Sequence, residues 1–207
     1  MVHAMRYMST FLFVGLGNPG EEYENTRHNI GRMALRSLSD ELGADDFELE
    51  KGAKALLSRA KAGKHNVWMA LPETFMNKSG LAVAYLASKK KIKPENIVAI
   101  YDDIDLPIGT TKMSFARGSG GHRGLESIIK ALKTRDFVRV RIGVSPESAK
   151  GAARKPKGNE KVIKFILGKI KDDELKMFKK IFKRVNGALQ TLLEMGRGEA
   201  MKECNTA

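Results

Sequence analysis

Two hydrophobic periods alternate along this 207-residue chain. Tyr7–Gly15 is a short apolar run closed by glycine and reads as a central strand. From Thr26 to Leu42 the apolar residues Ile30, Met33, Ala34, Leu35, Leu38 and Leu42 recur at helical spacing, and Gly43 suits the end of that helix. Ala53–Ala60 and His65–Ala70 read as a strand pair across a Lys-Ala-Gly-Lys turn. Asn77–Lys91 is a small-residue helix whose closing lysines suit a helix C-terminus. Ile97–Tyr101 is a β-branched buried strand, and Thr110–Phe115 an antiparallel edge. Gly121–Lys133 is an amphipathic helix. Phe137–Val144 is a strand that puts Arg139 and Arg141 on one face. Lys161–Gly168 and Asp172–Met195 are helices.

Strands alternating with helices imply an α/β fold, a single-domain three-layer α/β/α sandwich around a mixed, mostly parallel twisted sheet. The domain is expected over residues 10–196, with tails at 1–9 and 197–207. Ser145–Lys161 is a basic Gly/Pro/Ala-rich connection with little to bury, so it is expected to be mobile. The last helix carries Leu175, Phe178, Ile181, Phe182, Val185, Leu189 and Leu192 on one side. Lys176, Lys179, Lys180, Lys183 and Arg184 lie toward the other. That pattern fits packing on the domain with a solvated basic face, and a membrane-surface helix is the lesser alternative.

Composition narrows the class. Hydrophobic residues make up 42% and charged ones 29%, which is ordinary for a soluble globular protein. There is no apolar run of about 18 residues, and the N-terminal stretch lacks the apolar core of a signal peptide. Cys204 is the single cysteine, which excludes an internal disulfide and a cysteine-based zinc site. A cytoplasmic protein is expected. The net charge of +13 points to a polyanionic partner, nucleic acid before membrane, against the alternative of evenly spread solubilising charge. The clusters at Lys89–Lys93, at Arg117–Arg141 and from Lys150 onward argue against an even spread.

Gly15-Leu16-Gly17-Asn18-Pro19-Gly20 has the G-x-G-x-x-G form of a dinucleotide site. Pro19, however, removes a backbone N–H where a pyrophosphate would need one. Glu21, Glu22 and Glu24 bring carboxylates to the same place, and Asp40–Glu50 shows no apolar strand ending in an acidic residue. A tight strand-to-loop turn explains the glycines. It does not explain the clustering of Asn18, Tyr23, His28 and Asn29 just beyond the strand.

In open α/β sheets, sites form at the carboxyl ends of the strands. Here those ends lead to Asn18, to Pro72–Asn77 and to Asp102–Asp105, and the glycine-rich turn Gly118–Gly124 opens a helix. If they converge, one pocket holds a histidine, a carboxylate, two amides and free backbone N–H groups. That inventory suits hydrolysis by a neutral histidine that takes a proton from water while a carboxylate fixes its tautomer. No G-x-S-x-G or supported cysteine nucleophile is present. Asp102, Asp103 and Asp105 could instead bind Mg²⁺, or simply stabilise a turn before Pro107. His3 and His65 read as surface residues. His122 is divided between ligand contact and helix capping, and the setting of His28 singles it out.

Together the motifs resemble bacterial peptidyl-tRNA hydrolase. They are GLGNPG-x-x-Y-x-x-T-R-H-N at Gly15–Asn29, PETFMNKSG at Pro72–Gly80, DDIDLPIG at Asp102–Gly109, GSGGHRGL at Gly118–Leu125 and RVRIG at Arg139–Gly143. The resemblance implies cleavage of the ester joining a peptide to the 3′ ribose of tRNA, without metal or organic cofactor, by a monomer that needs no membrane. It implies His28 as general base, Asp102 orienting it, and Asn18 positioning the peptide. Asn77, with Phe75 and Met76, would hold the peptide main chain, and Tyr23 would line the site. Gly121, His122, Arg123, Lys112 and Arg141 are the further candidates for substrate and tRNA contact.

One position departs from the family pattern: Arg123 stands where asparagine is usual. An amide both donates and accepts, whereas arginine only donates and is always charged. Arg123 is therefore a candidate for the terminal phosphate or ribose. The loop Lys150–Lys161 is also more basic than the family pattern, which fits backbone contact with tRNA. A non-catalytic RNA-binding protein on the same scaffold is the alternative.

Overall fold

The structure is a computed structural model that describes residues 8–149 and 151–206. His3, the expected strand start at Tyr7 and Lys150 of the basic loop lie outside the described residues. Seven strands form one mixed sheet: β1 (Thr10–Gly15), β2 (Glu48–Glu50), β3 (Ala55–Ala62), β4 (His65–Pro72), β5 (Ile97–Pro107), β6 (Thr111–Phe115) and β7 (Val138–Ser145). Their order is β2-β3-β4-β1-β5-β7-β6. The central strands β4, β1, β5 and β7 run parallel, and β3 and β6 are antiparallel to their neighbours.

Alternation along β1 sets the layers. Phe13, opposite Met69 of β4 and Val98 of β5, faces one core, and Leu12 and Val14 face the other. The Phe13 face is covered by α1 (Ile30–Glu41) and α5 (Asp172–Glu194), with α6 (Arg197–Asn205) beside them. The opposite face is covered by α2 (Ser79–Lys89) and α3 (Arg123–Leu132). The short α4 (Asn159–Ile166) follows the basic loop. This is the expected three-layer sandwich.

α1 lies unusually close to the sheet. A Cβ on Gly31 would come within 2.2 Å of the Ile100 carbonyl oxygen and 2.8 Å of that of Leu16. Glycine therefore lets the helix start directly above β1 and β5, which sets the height of the residues just before it. Arg32, the next residue along, donates to the Pro72 carbonyl and to Glu73 at 2.6 Å each, tying α1 to the end of β4.

Four expectations change. β5 does not end at Tyr101 but runs on to Pro107, with a register shift against β7 between Asp103 and Pro107. A close approach of Gly143 to the Pro107 carbonyl, where a Cβ would lie 2.0 Å away, permits that shift. Residues 48–50, read as lacking a strand, pair with β3 as a three-residue edge. Residues 197–205, expected as a tail, form α6, because burial of Ala200 and Cys204 and bonds to β6 from Cys204 and Asn205 hold them. Finally, His65, read as a surface residue, is buried at the start of β4, where its Nδ1 accepts from the Ser9 N–H. α5 buries its apolar side in the main core, the packing that its pattern predicts. Arg184 leaves the basic face to donate to Thr111. Among the described residues, no helix is long and apolar enough to cross a membrane.

Candidate active site

His28 sits in a single 3₁₀ turn, Arg27–Asn29, immediately before α1. The turn is pinned on both sides. Arg27 forms a two-pronged ion pair with Glu174 of α5 at 2.7 and 2.8 Å, and its backbone N–H donates to Gly168. Asn29 clamps the loop after β1: its side-chain oxygen accepts from the Asn18 N–H at 2.8 Å, and its amide donates to the Asn18 carbonyl at 2.9 Å. His28 is thus held between two anchored neighbours.

Its Nδ1 lies 2.9 and 3.1 Å from the two carboxylate oxygens of Asp102. A second imidazole reaches the same carboxylate, with His122 Nε2 3.2 Å from Asp102 Oδ1. The Leu125 N–H donates to His122 Nδ1 at the start of α3. His122 therefore carries its proton on Nε2 and donates it to Asp102, and His28 donates from Nδ1, since an ionised carboxylate only accepts. This leaves Nε2 as the ring nitrogen of His28 that Asp102 does not engage, and His28 lines the cleft. His122 acts as both cap and contact, and its ring also packs against Tyr101, with centroids 4.8 Å apart.

Asp102 is nearly sealed from solvent, 4% exposed, inside β5. Burial by itself would raise its carboxyl; the positive charge that His28 carries when protonated, and hydrogen bonds from His122 and His28, outweigh that and hold it well below the usual carboxylate range. Burial pushes the neighbouring Tyr101 phenol up. Asp103 and Asp105 turn elsewhere: Asp103 accepts from Arg141 Nε at 2.5 Å, and Asp105 pairs with Lys155 of the basic loop. The three aspartates thus do not gather around one ion. Among the described residues, the group that could hold a metal is His28, Asp102 and His122, whose ligand atoms lie within 4.8 Å of one another. In that group both histidines already hydrogen-bond Asp102.

Asn18 points its side-chain oxygen at the Met76 N–H, 2.8 Å away. Its –NH₂ is thereby left to donate into the cleft. The same bond fixes the segment after β4, so that exposed Phe75 and Asn77 flank the cleft while Met76 is buried under it. Tyr23 stands behind Phe75, edge to face with centroids 6.4 Å apart, and does not itself line the cleft. A Cβ on Gly124 would meet the Met76 sulfur at 2.5 Å, so the glycine lets α3 close against this segment.

The resulting cleft has a volume of about 940 Å³ and takes in Asn18, His28, Asp102, His122, Phe75 and Asn77. Gly121, Arg123, Lys112 and Arg141 line it as well. Lys112, Arg117 and Arg123 make no ion pair among the described residues, whereas Arg141 is held by Asp103 and Arg139 is buried on backbone carbonyls. Two features escape a reading of the sequence. One is the clamp by Asn29, for which the cluster with Asn18 is the available signal. The other is a wall from α4 and the residue that caps it, where Val162, Ile163, Ile166 and Leu167 line the cleft. Ile163 and Leu167 are 40% and 37% exposed, and their i, i+4 spacing on a short helix is the signal.

Residues 12–207 match the family described as peptidyl-tRNA hydrolase. The chain is 40% identical over 199 residues to a peptidyl-tRNA hydrolase of Aquifex aeolicus, covering 96% of this chain and 97% of the relative. It is 41% identical over 196 residues to that of Cupriavidus metallidurans, covering 94% and 98%. The crystal structure of peptidyl-tRNA hydrolase from Acinetobacter baumannii superposes with a TM-score of 0.86 at 30% identity, covering 96% of both chains.

Proposed function

Because the chain belongs to the peptidyl-tRNA hydrolase family, we propose that His28 is the base that activates water in its reaction. The enzyme hydrolyses the ester between a peptide and tRNA. The observation that carries the assignment is the pairing of His28 Nδ1 with Asp102, which leaves Nε2 unengaged by that carboxylate in a residue that lines the cleft.

Water attacks the ester carbonyl carbon as His28 Nε2 takes its proton. Asp102, kept ionised, steadies the imidazolium that forms and holds the tautomer. His122 donates to the same carboxylate and fixes its position. The Asn18 –NH₂ donates to the carbonyl oxygen as it becomes an oxyanion. Collapse breaks the bond to the ribose 3′ oxygen, and His28 returns the proton to that oxygen. The products are a peptide acid and tRNA with a free 3′ hydroxyl. No step calls for a metal or an organic cofactor.

Asn77 and Phe75 hold the peptide, with Met76 presenting them and Tyr23 supporting Phe75. The unpaired Lys112 and Arg123, with Gly121 and the outer nitrogens of Arg141, meet the tRNA end, where arginine and lysine recognise phosphate. All of these groups come from one chain, which fits a monomer acting in the cytoplasm, where peptidyl-tRNA arises. A non-catalytic RNA binder has no use for the buried His–Asp–His arrangement.

Release of tRNA from N-acetyl-aminoacyl-tRNA, with and without EDTA, tests the reading. Equal rates are expected. Loss of turnover on chelation, restored by a divalent ion, would replace the histidine base by a metal-bound hydroxide at His28, Asp102 and His122.

A further inference from the structure

A second groove adjoins the cleft across the ridge formed by Phe75 and Asn77, which line both. Its volume of about 710 Å³ lies in the range of ligand pockets, about 300–1,000 Å³. Pro19, Leu81 and Ala131 give it an apolar middle, and Lys54, Lys78 and Lys130 stand around it. Phe75 and Leu81 are 57% and 59% exposed. Single exposed apolar side chains are common, but these two border one concavity that shares Phe75 and Asn77 with the reaction site.

The charged groups left over at this groove are cationic donors. Lys54, Lys78 and Lys130 make no ion pair among the described residues, and the buried Thr74 hydroxyl beside them has no partner. The one carboxylate present, Glu73, is taken by Arg32 at 2.6 Å. A lining of apolar surface, unpaired lysines and the unpartnered Thr74 hydroxyl fits a chain of carbonyl acceptors with apolar or acidic side chains. It does not fit a basic peptide.

We propose that this groove receives the peptide residues upstream of the one esterified to tRNA, with preference for apolar and acidic side chains. The assignment rests on the reading that Asn77 and Phe75 hold the peptide next to His28. A peptide leaving the ester past Asn77 crosses the ridge and enters the groove. The tRNA end departs on the other side, along Lys112, Arg117 and Arg123, none of which borders the groove.

The test compares kcat/KM of wild type, Leu81→Glu and Lys130→Glu on two substrates. One is N-acetyl-aminoacyl-tRNA and the other is a pentapeptidyl-tRNA with apolar and acidic residues upstream of the same esterified residue. Both replaced side chains are exposed, so the fold is retained, and unfolding midpoints check this. Each variant is expected to lose about fivefold on the pentapeptidyl substrate, the order of one partly buried side chain, and to match wild type on the short one. Equal losses on both substrates would assign the groove to tRNA and overturn the proposal, as would no loss on either. Failure of the catalytic reading would show separately, as undiminished turnover of the short substrate by His28→Ala.

Discussion

His28 and Asp102 lie 74 positions apart in the chain, yet Nδ1 of one stands 2.9 Å from a carboxylate oxygen of the other. The contact joins a turn before α1 to the middle of a parallel strand. It exists because Gly31 lets α1 rest on β5 and because Asn29 and Arg27 anchor the turn from either side. Replacing Asp102 by asparagine keeps the shape and removes the fixed tautomer. A fall in kcat of about 10²–10⁴-fold is expected, with KM little changed, read from steady-state release of tRNA.

The same carboxylate governs acid stability. Its folded-state pKa is depressed below the ordinary value of 3.8, so the unfolded chain binds the proton more readily. The contribution of Asp102 is therefore fully present above the ordinary carboxylate range and is lost as pH falls through the lower folded value. Denaturant unfolding of wild type and Asp102→Asn should show their largest gap at neutral pH and a closing gap below about pH 4. A gap that stays constant into strong acid would contradict a depressed carboxyl.

Gly31→Ala should lift α1 from the sheet, since the new Cβ would stand 2.2 Å from the Ile100 carbonyl oxygen. A loss of about 1–3 kcal/mol is expected, as for overpacked cores, together with reduced kcat from the displaced His28. An unfolding midpoint equal to wild type would show that the close approach is not needed.

Arg123 is exposed on the cleft and makes no ion pair among the described residues. Arg123→Asn should raise KM for the tRNA substrate while kcat holds. It should also flatten the dependence of log affinity on log salt by about 0.7, the value for one phosphate on a single strand. A fall in kcat with unchanged salt dependence would place Arg123 in the chemistry instead.

In the basic loop, Lys155 already pairs with Asp105, and Arg154 and Lys157 lie nearby in sequence. Replacing Arg154, Lys155 and Lys157 by glutamine should reduce the salt slope by up to about 0.9 for each phosphate that is no longer neutralised. An unchanged slope would remove the loop from the tRNA footprint.

Much of this is legible in the sequence because the sheet's inner strands carry strong patterns. Leu12, Phe13 and Val14 and Ile97–Ile100 are buried on both faces and read as strands on composition alone. The rest is set by tertiary contacts. Asp102 to Asp105 look like the end of a strand, but two histidines and Arg141 satisfy Asp102 and Asp103, so β5 continues to Pro107. The Glu48–Glu50 edge has no apolar run, its one apolar residue Leu49 being exposed, and it exists through pairing with β3. Residues 197–205 hold few apolar side chains, and the bonds of Cys204 and Asn205 to β6 cannot be seen in one dimension. The motif around Asn18 and His28 is readable, whereas the role of Asn29 depends on the reciprocal pair it makes with the Asn18 backbone.

The mechanism turns on His28 taking the proton from the attacking water. Single-turnover release of tRNA from N-acetyl-aminoacyl-tRNA by His28→Ala, with substrate binding measured alongside, examines that step alone. A rate lower by about 10²–10⁴-fold at unchanged affinity is predicted; a rate within about twofold of wild type, a difference too small for removal of a base, would contradict it.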